Sequence, residues 1–510
     1  MIQLAESSLT IVIGPPPTPN GDLHLGHIAG PYMGADVFRR YRLLFGETVL
    51  YVSGTDNSQT YVVGAARRAG LSPETLAAQS TAAIRTSIAA AAIEMDGFAP
   101  YDDGYAETVR DFLGALHDRG LFRSRTRMLP VNLTTGEVLV EGLIEGDCPH
   151  CLARSRGALC ETCGLALRCE DLANPRCTYD SAAVVGYEEH TILVLPLEDY
   201  REQLTAFYSD EMLQRLRPKA RRVITSALSK PLLDFPISYP LTWGIAAPYS
   251  EVEGQVFNAW AEGMPASIYC TAHAFSPPDR GRADFLWREP STVVAYFLGI
   301  DNVYFWGITH LALLMAHEPA YTLPSQILSN QFYLLEDKKF STSGRHVLSM
   351  TDLLQNYSTQ AARFYLALSA PETVESTFNR GGFESVVSDN LIEPWNALHA
   401  LLSFGGQPAQ IQDADSERRI AVVRQAFMDS SSLEGFSLRD LAKLIAMHLE
   451  RLLRTARTGR ADLSTVTAEF SSLARLASPL LLLDGLTASF PPALHLAADR
   501  RPIEPDPLER

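Results

Sequence analysis

The stretch IVIGPPPTPNGDLHLGHIAGPYMGADVFRRY, residues 11–41, joins an apolar segment, a proline-rich turn, two histidines and a helical pattern. Residues 11–13 are apolar and predict a short buried strand. The prolines that follow stiffen the turn and cannot continue a ladder of strand hydrogen bonds. From Ile28 onward, apolar residues recur at helical spacing. We therefore expect His24 and His27 at the start of a helix.

A helix start favours anions, because its first backbone N–H groups lack partners and the helix dipole is positive there. His24 and His27 can donate hydrogen bonds to phosphate oxygens, and Gly26 allows a nucleotide to approach the backbone closely. The alternative is a proline-rich loop with two surface histidines. The order of strand, turn, HLGH and helix resembles the HIGH signature of class I aminoacyl-tRNA synthetases, and PNGDLHLGH is most similar to their methionyl branch.

This resemblance implies an α/β fold class: the Rossmann-type nucleotide-binding fold of class I synthetases, with a zinc-ribbon insertion and a C-terminal α-helical domain. At 510 residues the chain exceeds a single core, so several domains are expected. The expected segments are the first half of the nucleotide-binding fold at 1–115, the zinc-binding insertion at 116–235, the second half of the fold at 236–330, the KFSTS loop with its helical support at 331–385, and a helical region similar to an anticodon domain at 386–510.

The composition is that of an ordinary soluble globular protein, with 46% hydrophobic and 20% charged residues. No apolar run is long enough to span a bilayer, and the N-terminus lacks a basic region followed by an apolar stretch. We therefore expect a cytoplasmic protein that has no membrane partner. The net charge of −16 opposes long-range attraction to nucleic-acid phosphates, although a local basic patch can still bind RNA.

Four of the seven cysteines form two CxxC knuckles within CPHCLARSRGALCETC, separated by eight residues. They are Cys148, Cys151, Cys160 and Cys163. This spacing allows four thiolates to hold one tetrahedral zinc ion, and disulfides are disfavoured in a cytoplasmic chain. We therefore predict a structural Zn²⁺ site that folds the insertion. Cys169, Cys177 and Cys270 lack paired spacing and are expected to be buried small hydrophobic residues.

The segment ETVLYVSGTDNSQT, residues 47–60, is typical of a buried strand that ends in a polar turn. Ligands of open α/β sheets bind beyond the carboxyl ends of strands, so Asp56 is well placed to hold a cation. The resemblance implies that Asp56 binds the α-ammonium group of an amino acid; a solvated turn aspartate is the alternative. The family usually continues with Glu-His-Gly, where this chain has Asn57, Ser58 and Gln59.

Two further segments resemble those that line the amino-acid pocket of the family, NAWAEGMPASI and LGIDNVYFWGITHLALLM. Trp260 matches a pocket tryptophan, whereas Thr18, Ser267 and Trp306 replace tyrosine, tyrosine and histidine. The expected amino-acid-binding residues are Thr18, Asp56, Trp260, Ser267, Trp306 and His310. So many changes in the lining predict that an amino acid other than methionine is recognised. The alternative is drift in core packing with methionine retained.

The remaining ATP-binding residues follow from the same resemblance. Asp301 ends a strand and is expected to accept the ribose hydroxyls of ATP. The segment EDKKFSTSGRHVLSM stands in the place of the family's KMSKS loop. Within this loop, Lys338, Ser341 and Ser343 are expected to bind ATP, as is Gly26 of the HLGH segment. Lys339 and Arg345 are expected to act in catalysis. His24 and His27 are the other two expected catalytic residues. Thr342 replaces the second lysine, and a basic surface loop is the alternative.

The C-terminal region is helical by its apolar spacing. No tryptophan follows Trp395, and stacking of unpaired RNA bases needs exposed aromatic or arginine side chains. Arg451, Arg454, Arg457 and Arg460 form either a basic stripe or a solvated helix face. We therefore do not expect specific anticodon readout, and tRNA is not an expected partner.

These observations predict a methionyl-synthetase paralog that uses ATP with Mg²⁺ to activate an amino acid other than methionine. The aminoacyl group would pass to a small amine or hydroxylamine acceptor, as in the synthetase-like part of hydrazine-forming enzymes. A cupin partner would then be a separate chain, since no histidine-rich cupin segment is present. The alternatives are a divergent methionyl-tRNA synthetase that charges tRNA, and an inactive regulatory or binding paralog.

Overall fold

The structure is a computed structural model of the chain and describes residues 9–340, 346–403, 414–483 and 490–498. Among these residues, no helix combines the length and the apolar character required to cross a membrane.

Fifteen strands are described: β1 Leu9–Ile13, β2 Thr48–Ser53, β3 Gly97–Phe98, β4 Arg123–Asn132, β5 Ile144–Asp147, β6 Arg154–Arg156, β7 Ala173–Cys177, β8 Val185–Leu195, β9 Phe235–Pro236, β10 Ser238–Tyr239, β11 Val256–Phe257, β12 Val293–Gly299, β13 Gln326–Asn330, β14 Tyr333–Leu335 and β15 Ser376–Phe378.

The α-helices in the described part of the chain are α1 Leu25–His27, α2 Met33–Leu44, α3 Thr60–Ala69, α4 Pro73–Ala90, α5 Asp103–Asp118, α6 Arg201–Phe207, α7 Asp210–Arg215, α8 Pro218–Leu228, α9 Gly263–Ala272, α10 Arg282–Arg288, α11 His310–Met315, α12 Met350–Leu354, α13 Thr359–Leu368, α14 Arg380–Val387, α15 Glu393–Leu402, α16 Ala414–Ser430, α17 Leu438–Thr458 and α18 Leu463–Leu481.

The chain divides into two compact units, and each is described by itself. The first comprises Met1–Asp22, Leu50–Ile84 and Met95–Ser329; the second comprises Leu23–Val49, Arg85–Glu94 and Asn330–Arg510. The five segments expected from the sequence stay a prediction.

The first unit is built around a five-stranded sheet in the order β13-β12-β1-β2-β3. Strands β1 and β12 pair in parallel, as do β2 and β3. Every residue of β1 is buried, because helices cover both faces of such a sheet and its strands become continuously apolar. The chain leaves β1 toward β2 on one side while β12 lies on the other, so β1 is a topological switch point beyond which ligands bind.

The zinc-ribbon segment of the first unit carries two small antiparallel sheets. One has the order β4-β8-β9 and the other β6-β5-β7. A buried core shared by Leu129, Ile144, Ile192 and two of the knuckle cysteines, Cys148 and Cys160, holds this segment together.

The second unit holds the HLGH segment and the C-terminal helices. Helix α13 packs against α17 and α18, and α18 also packs against α2. A short parallel pair of strands, β14 and β15, lies beside the helices. The helix predicted from Ile28 differs from the observed one: α1 covers Leu25–His27, a wider π-type turn follows at Ile28–Tyr32, and α2 then begins at Met33. Pro31 has no N–H to donate, and Gly30 departs from helical geometry with φ −86° and ψ −117°, so the continuous α-helical pattern is interrupted there.

Candidate functional site

The two histidines of HLGH form one stacked pair in the second unit. His24 is the N-cap of α1, and its Nδ1 accepts a hydrogen bond from the Gly26 N–H at 3.1 Å. The backbone N–H of His24 in turn donates to His27 Nδ1 at 3.3 Å. The ring centroids lie 3.9 Å apart with an interplanar angle of 26°. The local chain therefore fixes both rings.

These contacts determine where each imidazole carries its proton. Burial, with a further contribution from His27, lowers the pKa of His24 to about 2, and burial lowers the pKa of His27 to about 4. Both rings are therefore neutral at pH 7. Because each Nδ1 accepts a hydrogen bond, each proton is assigned to Nε2, which becomes a donor. Two neutral N–H donors side by side suit anionic oxygens.

A glycine is required between the histidines. A Cβ on Gly26 would meet the His24 ring at 2.9 Å and the Phe340 ring at 3.4 Å. Phe340 stacks on His24 with a centroid distance of 4.1 Å and an interplanar angle of 3°. The sequence predicted that Gly26 lets a nucleotide approach the backbone closely. In this unit the side chains of His24 and Phe340 lie close to Gly26.

Phe340 and Lys339 follow a tight turn at 335–338. Its central residues Glu336 and Asp337 have φ values of 49° and 62°, and Leu335 and Lys338 exchange backbone hydrogen bonds at 2.9 and 3.0 Å. Lys338 is exposed, and the Lys339 ammonium lies 4.1 Å from the centre of the Phe332 ring. Ser341 and Ser343, expected in the ATP site, and Arg345, expected to act in catalysis, lie outside the described residues, as does Thr342.

Asp56 lies in the turn after β2 in the first unit. Its backbone N–H donates to the Pro17 carbonyl at 3.1 Å, next to Thr18, and its Oδ2 accepts from Gln59 Nε2 at 2.7 Å. Burial raises the pKa of Asp56 to about 7, and the Gln59 hydrogen bond works against this shift. The Asp56 side chain is half-buried and its Oδ1 is buried, and its role in binding an amino acid stays a prediction.

A second carboxyl group, Glu262, lies near Asp56. Its Oε2 accepts hydrogen bonds from Ser58 Oγ at 3.0 Å and from the Tyr105 hydroxyl at 3.1 Å. Burial and the negative charge of Asp56 raise the pKa of Glu262 well above its usual range. The turn that carries Asp56 is therefore anchored on a buried polar group.

The expected aromatic pocket residues come together in the same unit. Trp260 stacks on Phe305 at 3.9 Å, and its carbonyl accepts a hydrogen bond from His310 Nε2 at 2.6 Å. Trp306 is only 2% exposed and packs edge-on against His310 at 4.8 Å. Ser267 donates its hydroxyl hydrogen to the Gly263 carbonyl of its own helix at 2.8 Å. Trp306 is thus part of a packed aromatic group, and the Ser267 hydroxyl has its donor engaged.

Asp301 follows β12 directly, in a 3₁₀ turn at Ile300–Asn302. Its Oδ1 accepts a hydrogen bond from Asn302 Nδ2 at 3.2 Å. Because β12 neighbours β1, Asp301 lies at the carboxyl edge of the sheet where the sequence placed it.

The four knuckle cysteines converge. Their sulfur atoms all lie within 4.8 Å of one another, with Cys148–Cys163 at 3.9 Å and Cys151–Cys160 at 3.6 Å. Tetrahedral zinc with Zn–S bonds of about 2.3 Å requires sulfur–sulfur distances of about 3.8 Å. The residue after each knuckle, Leu152 or Gly164, has a left-handed φ of 61° or 72°. Two equivalent knuckles therefore frame a space that fits Zn²⁺, whereas Cys169, Cys177 and Cys270 are buried elsewhere.

The C-terminal helices bury most of their aromatic residues. Trp395, Phe427, Phe436 and Phe470 are buried, and Phe490 packs on His399 and Phe470. Arg451 pairs with the buried Glu469 at 2.7 Å, and Arg454 pairs with Glu450. Two of the four arginines that the sequence assigned either to a basic stripe or to a solvated helix face are therefore engaged within the chain.

A family model described as tRNA synthetases class I (M) matches residues 10–400, which is more than half of the chain. The chain belongs to this family. Membership makes it an ATP-dependent ligase of the aminoacyl-tRNA synthetase type. The C-terminal helices α16, α17 and α18 lie beyond the matched range.

Similar proteins carry the name methionine–tRNA ligase. The one from Thermomicrobium roseum is 32% identical over 395 residues, covering 76% of this chain and 67% of that protein. The one from Chlamydia caviae is 30% identical over 437 residues, covering 82% and 78%. A structure of Mycobacterium tuberculosis methionyl-tRNA synthetase in complex with methionyl-adenylate is 16% identical, covers 93% of this chain and 92% of that one, and has a TM-score of 0.72. The predicted α/β class I synthetase fold is thereby confirmed.

Several contacts around these groups were missed from the sequence. The stacking of Phe340 on His24 and the hydrogen bonds of Glu262 join residues far apart in the chain, so no local pattern announces them. Gln59 and Ser58 did carry a signal, since both stand where the family has other residues.

Proposed function

We propose that the chain forms an aminoacyl adenylate from ATP, with Mg²⁺, and an α-amino acid, and then transfers the aminoacyl group to tRNA, with methionine as the first candidate amino acid. The family match and the names of the relatives support methionine and tRNA ahead of the small-acceptor function expected from the sequence. They offer no support for hydrazine formation or a cupin partner.

The stacked histidine pair is the observation that carries this proposal. In the adenylation step, a carboxylate oxygen of the amino acid attacks the α-phosphorus of ATP, and the bond from that phosphorus to the bridging oxygen of pyrophosphate breaks. The Nε2–H groups of His24 and His27 would donate to phosphate oxygens as charge develops there. Neutral donors of this kind need no change in protonation during the step.

The other expected residues have complementary roles in the proposal. Lys339 and, outside the described residues, Arg345 would supply positive charge to the leaving pyrophosphate, with Lys338, Ser341 and Ser343 as further contacts. Asp301 would accept the ribose hydroxyls of ATP, and Asp56 would bind the α-ammonium group. Trp260, Trp306 and His310 would surround the amino-acid side chain, with Thr18 and Ser267 beside them.

The four cysteines would hold a structural Zn²⁺. All four coordination positions would be filled by thiolates, so the ion would stabilise the fold of the ribbon and take no part in adenylation. A cytoplasmic location, predicted from the sequence, is part of the same proposal.

A second candidate function retains adenylation but replaces tRNA by a small acceptor. The buried aromatic residues and paired arginines of the C-terminal helices favour it, because base stacking needs exposed side chains. Trp306 and Ser267 favour a changed amino acid for the same pocket.

Two measurements test both candidates. The first measures pyrophosphate exchange in the presence of each of the twenty amino acids in turn, beginning with methionine. Exchange is expected with one of them. Charging of purified total tRNA is then expected to accumulate aminoacyl-tRNA at ordinary synthetase rates. Exchange with a different amino acid and without charging would favour the second candidate. No exchange with any amino acid would contradict both, and would leave the inactive binding paralog.

A further inference from the structure

The turn at Asp56–Gln59 is held in one conformation by contacts along its length. The Trp243 indole N–H donates to the Asn57 carbonyl at 2.8 Å, and Ser58 is anchored on Glu262. The Gln59 carbonyl accepts from the Val62 N–H at 3.0 Å, which fixes the turn to the start of α3. Side chains that leave this turn are therefore held in place before any ligand binds.

Gln59 and Asp56 present two acceptor oxygens from this turn. Gln59 is 2% exposed, and its Nε2 donates to Asp56 Oδ2. A carboxylate can only accept here, so the amide orientation is determined and Gln59 Oε1 is the oxygen left over. Gln59 Oε1 and Asp56 Oδ1 are both buried, and neither has a hydrogen-bond partner among the described residues. Buried acceptors without donors are costly, so a group that donates a hydrogen bond to each of them is expected.

We propose that Gln59 Oε1 and Asp56 Oδ1 together bind the α-ammonium group of the amino-acid substrate, which makes Gln59 a substrate-binding residue of this chain. The inference rests on the proposed function, in which Asp56 binds that group. An ammonium group offers three N–H donors, and an amide oxygen beside a carboxylate supplies a second acceptor of fixed direction.

Gln59 has a second effect on this site. Its hydrogen bond lowers the pKa of Asp56 against the effect of burial, and so favours the carboxylate form that binds an ammonium group. The titratable groups near Asp56 are Glu262, Tyr101 and Tyr105, and burial raises the pKa of each of them. Amino-acid binding is therefore expected to improve as the pH rises through about 7, where the Asp56 carboxyl ionises.

The test replaces Gln59 by leucine in the full chain and measures pyrophosphate exchange. With methionine, and in parallel the other nineteen amino acids, Gln59→Leu is expected to raise the KM for the amino acid roughly ten- to hundredfold, and to leave the KM for ATP within about twofold. The pH at which the amino-acid KM improves should move upward, because Asp56 loses the hydrogen bond that favours its charge. This shift reports the loss of the Nε2 hydrogen bond to Asp56, whereas a raised amino-acid KM at pH values above the transition reports the loss of the Oε1 acceptor.

A matched control and a second variant complete the test. Gln326 is also buried, at 1% exposure, and its amide donates to the Arg215 carbonyl, so Gln326→Leu should leave the amino-acid KM and its pH dependence unchanged. Gln59→Glu places a second carboxyl beside Asp56 and should move the pH dependence further upward. If the wild-type chain catalyses exchange and Gln59→Leu leaves the amino-acid KM unchanged, then Gln59 does not bind the α-ammonium group. The proposed function would not be affected by that result. Absence of exchange in the wild-type chain would instead contradict the proposed function.

Discussion

At the scale of single residues, His24 shows how neighbouring groups set the state of a side chain. Its Nδ1 is occupied by the Gly26 N–H, and its ring lies between His27 and Phe340. Replacing His24 by alanine is expected to lower the rate of pyrophosphate exchange roughly 10²-fold, because the lost donor acts mainly on the transition state. His273→Ala is the control, since the one hydrogen bond described for the His273 ring goes to the Tyr269 carbonyl of the preceding helix. Equal exchange rates in the folded His24→Ala and wild-type proteins would contradict the assignment.

His310 links the same scale to pH. Burial lowers its pKa to about 4 from an ordinary value of 6.5, so the folded state binds this proton less readily than the unfolded state. The contribution of neutral His310 to the free energy of unfolding is therefore fully present above pH 6.5. It falls by roughly 1 kcal/mol per pH unit as the pH decreases from 6.5 toward 4. Urea unfolding at pH 7 and pH 5 measures it. His310→Gln should lose less free energy of unfolding between these two pH values than the wild type; an equal loss would show that His310 does not titrate in this way.

At the scale of elements, the zinc ribbon depends on two knuckles of the same geometry. The purified chain is expected to hold about one zinc ion, because four thiolates at this spacing match its coordination. Cys151→Ser should reduce the metal content and weaken hydrogen-exchange protection of β5, β6 and β7 more than it lowers pyrophosphate exchange. Cys177→Ser, at a buried cysteine outside the cluster, should keep its zinc. Metal analysis that finds no zinc in protein purified without chelators would contradict the site.

Elements are also where the sequence was most informative. The apolar run of β1, the CxxC spacing and the turns after β2 and β12 are local patterns, so their places in the fold could be predicted. The interruption at Gly30 and Pro31 could not be placed, because apolar spacing continues through it. The left-handed backbone conformation of Leu152 could not be predicted either. A glycine such as Gly164 indicates a turn of this kind, whereas leucine adopts the same conformation only because the knuckle imposes it.

At the scale of the whole molecule, one buried ion pair organises the second unit. Arg363 and Asp36 are both fully buried and lie 2.7 Å apart. The Arg363 guanidinium also donates to the carbonyls of Leu480 and Ala91, each at 2.9 Å. A single side chain of α13 thereby donates hydrogen bonds to a carboxylate of α2, to a carbonyl at the end of α18 and to a carbonyl of the loop after α4. No local sequence pattern predicts this contact, since Arg363 lies 327 positions from Asp36 and 117 positions from Leu480.

Removing one member of this pair should be far worse than removing both. Arg363→Met leaves the charge of Asp36 buried with Arg40 and the Glu94 backbone N–H as its remaining partners, and is expected to cost about 3–5 kcal/mol of unfolding free energy. The double variant Asp36→Leu with Arg363→Met removes the uncompensated charge and should be more stable than Arg363→Met alone. Chemical denaturation of the four proteins gives the coupling energy, and simple additivity would argue against this account.

The Arg363 contact also bears on where this protein can be shortened. The family match ends at residue 400, which invites trimming the chain there to obtain a minimal enzyme. Such a cut would discard the carbonyls of Pro479 and Leu480 that close the guanidinium shell, and the Leu476 carbonyl that accepts the hydrogen bond of Tyr41. Helix α13 would then expose the guanidinium of Arg363 to solvent, and helix α2 would expose the hydroxyl of Tyr41. We therefore expect α18 to be needed in the smallest active form of the protein, whether or not this helix ever meets a nucleic acid.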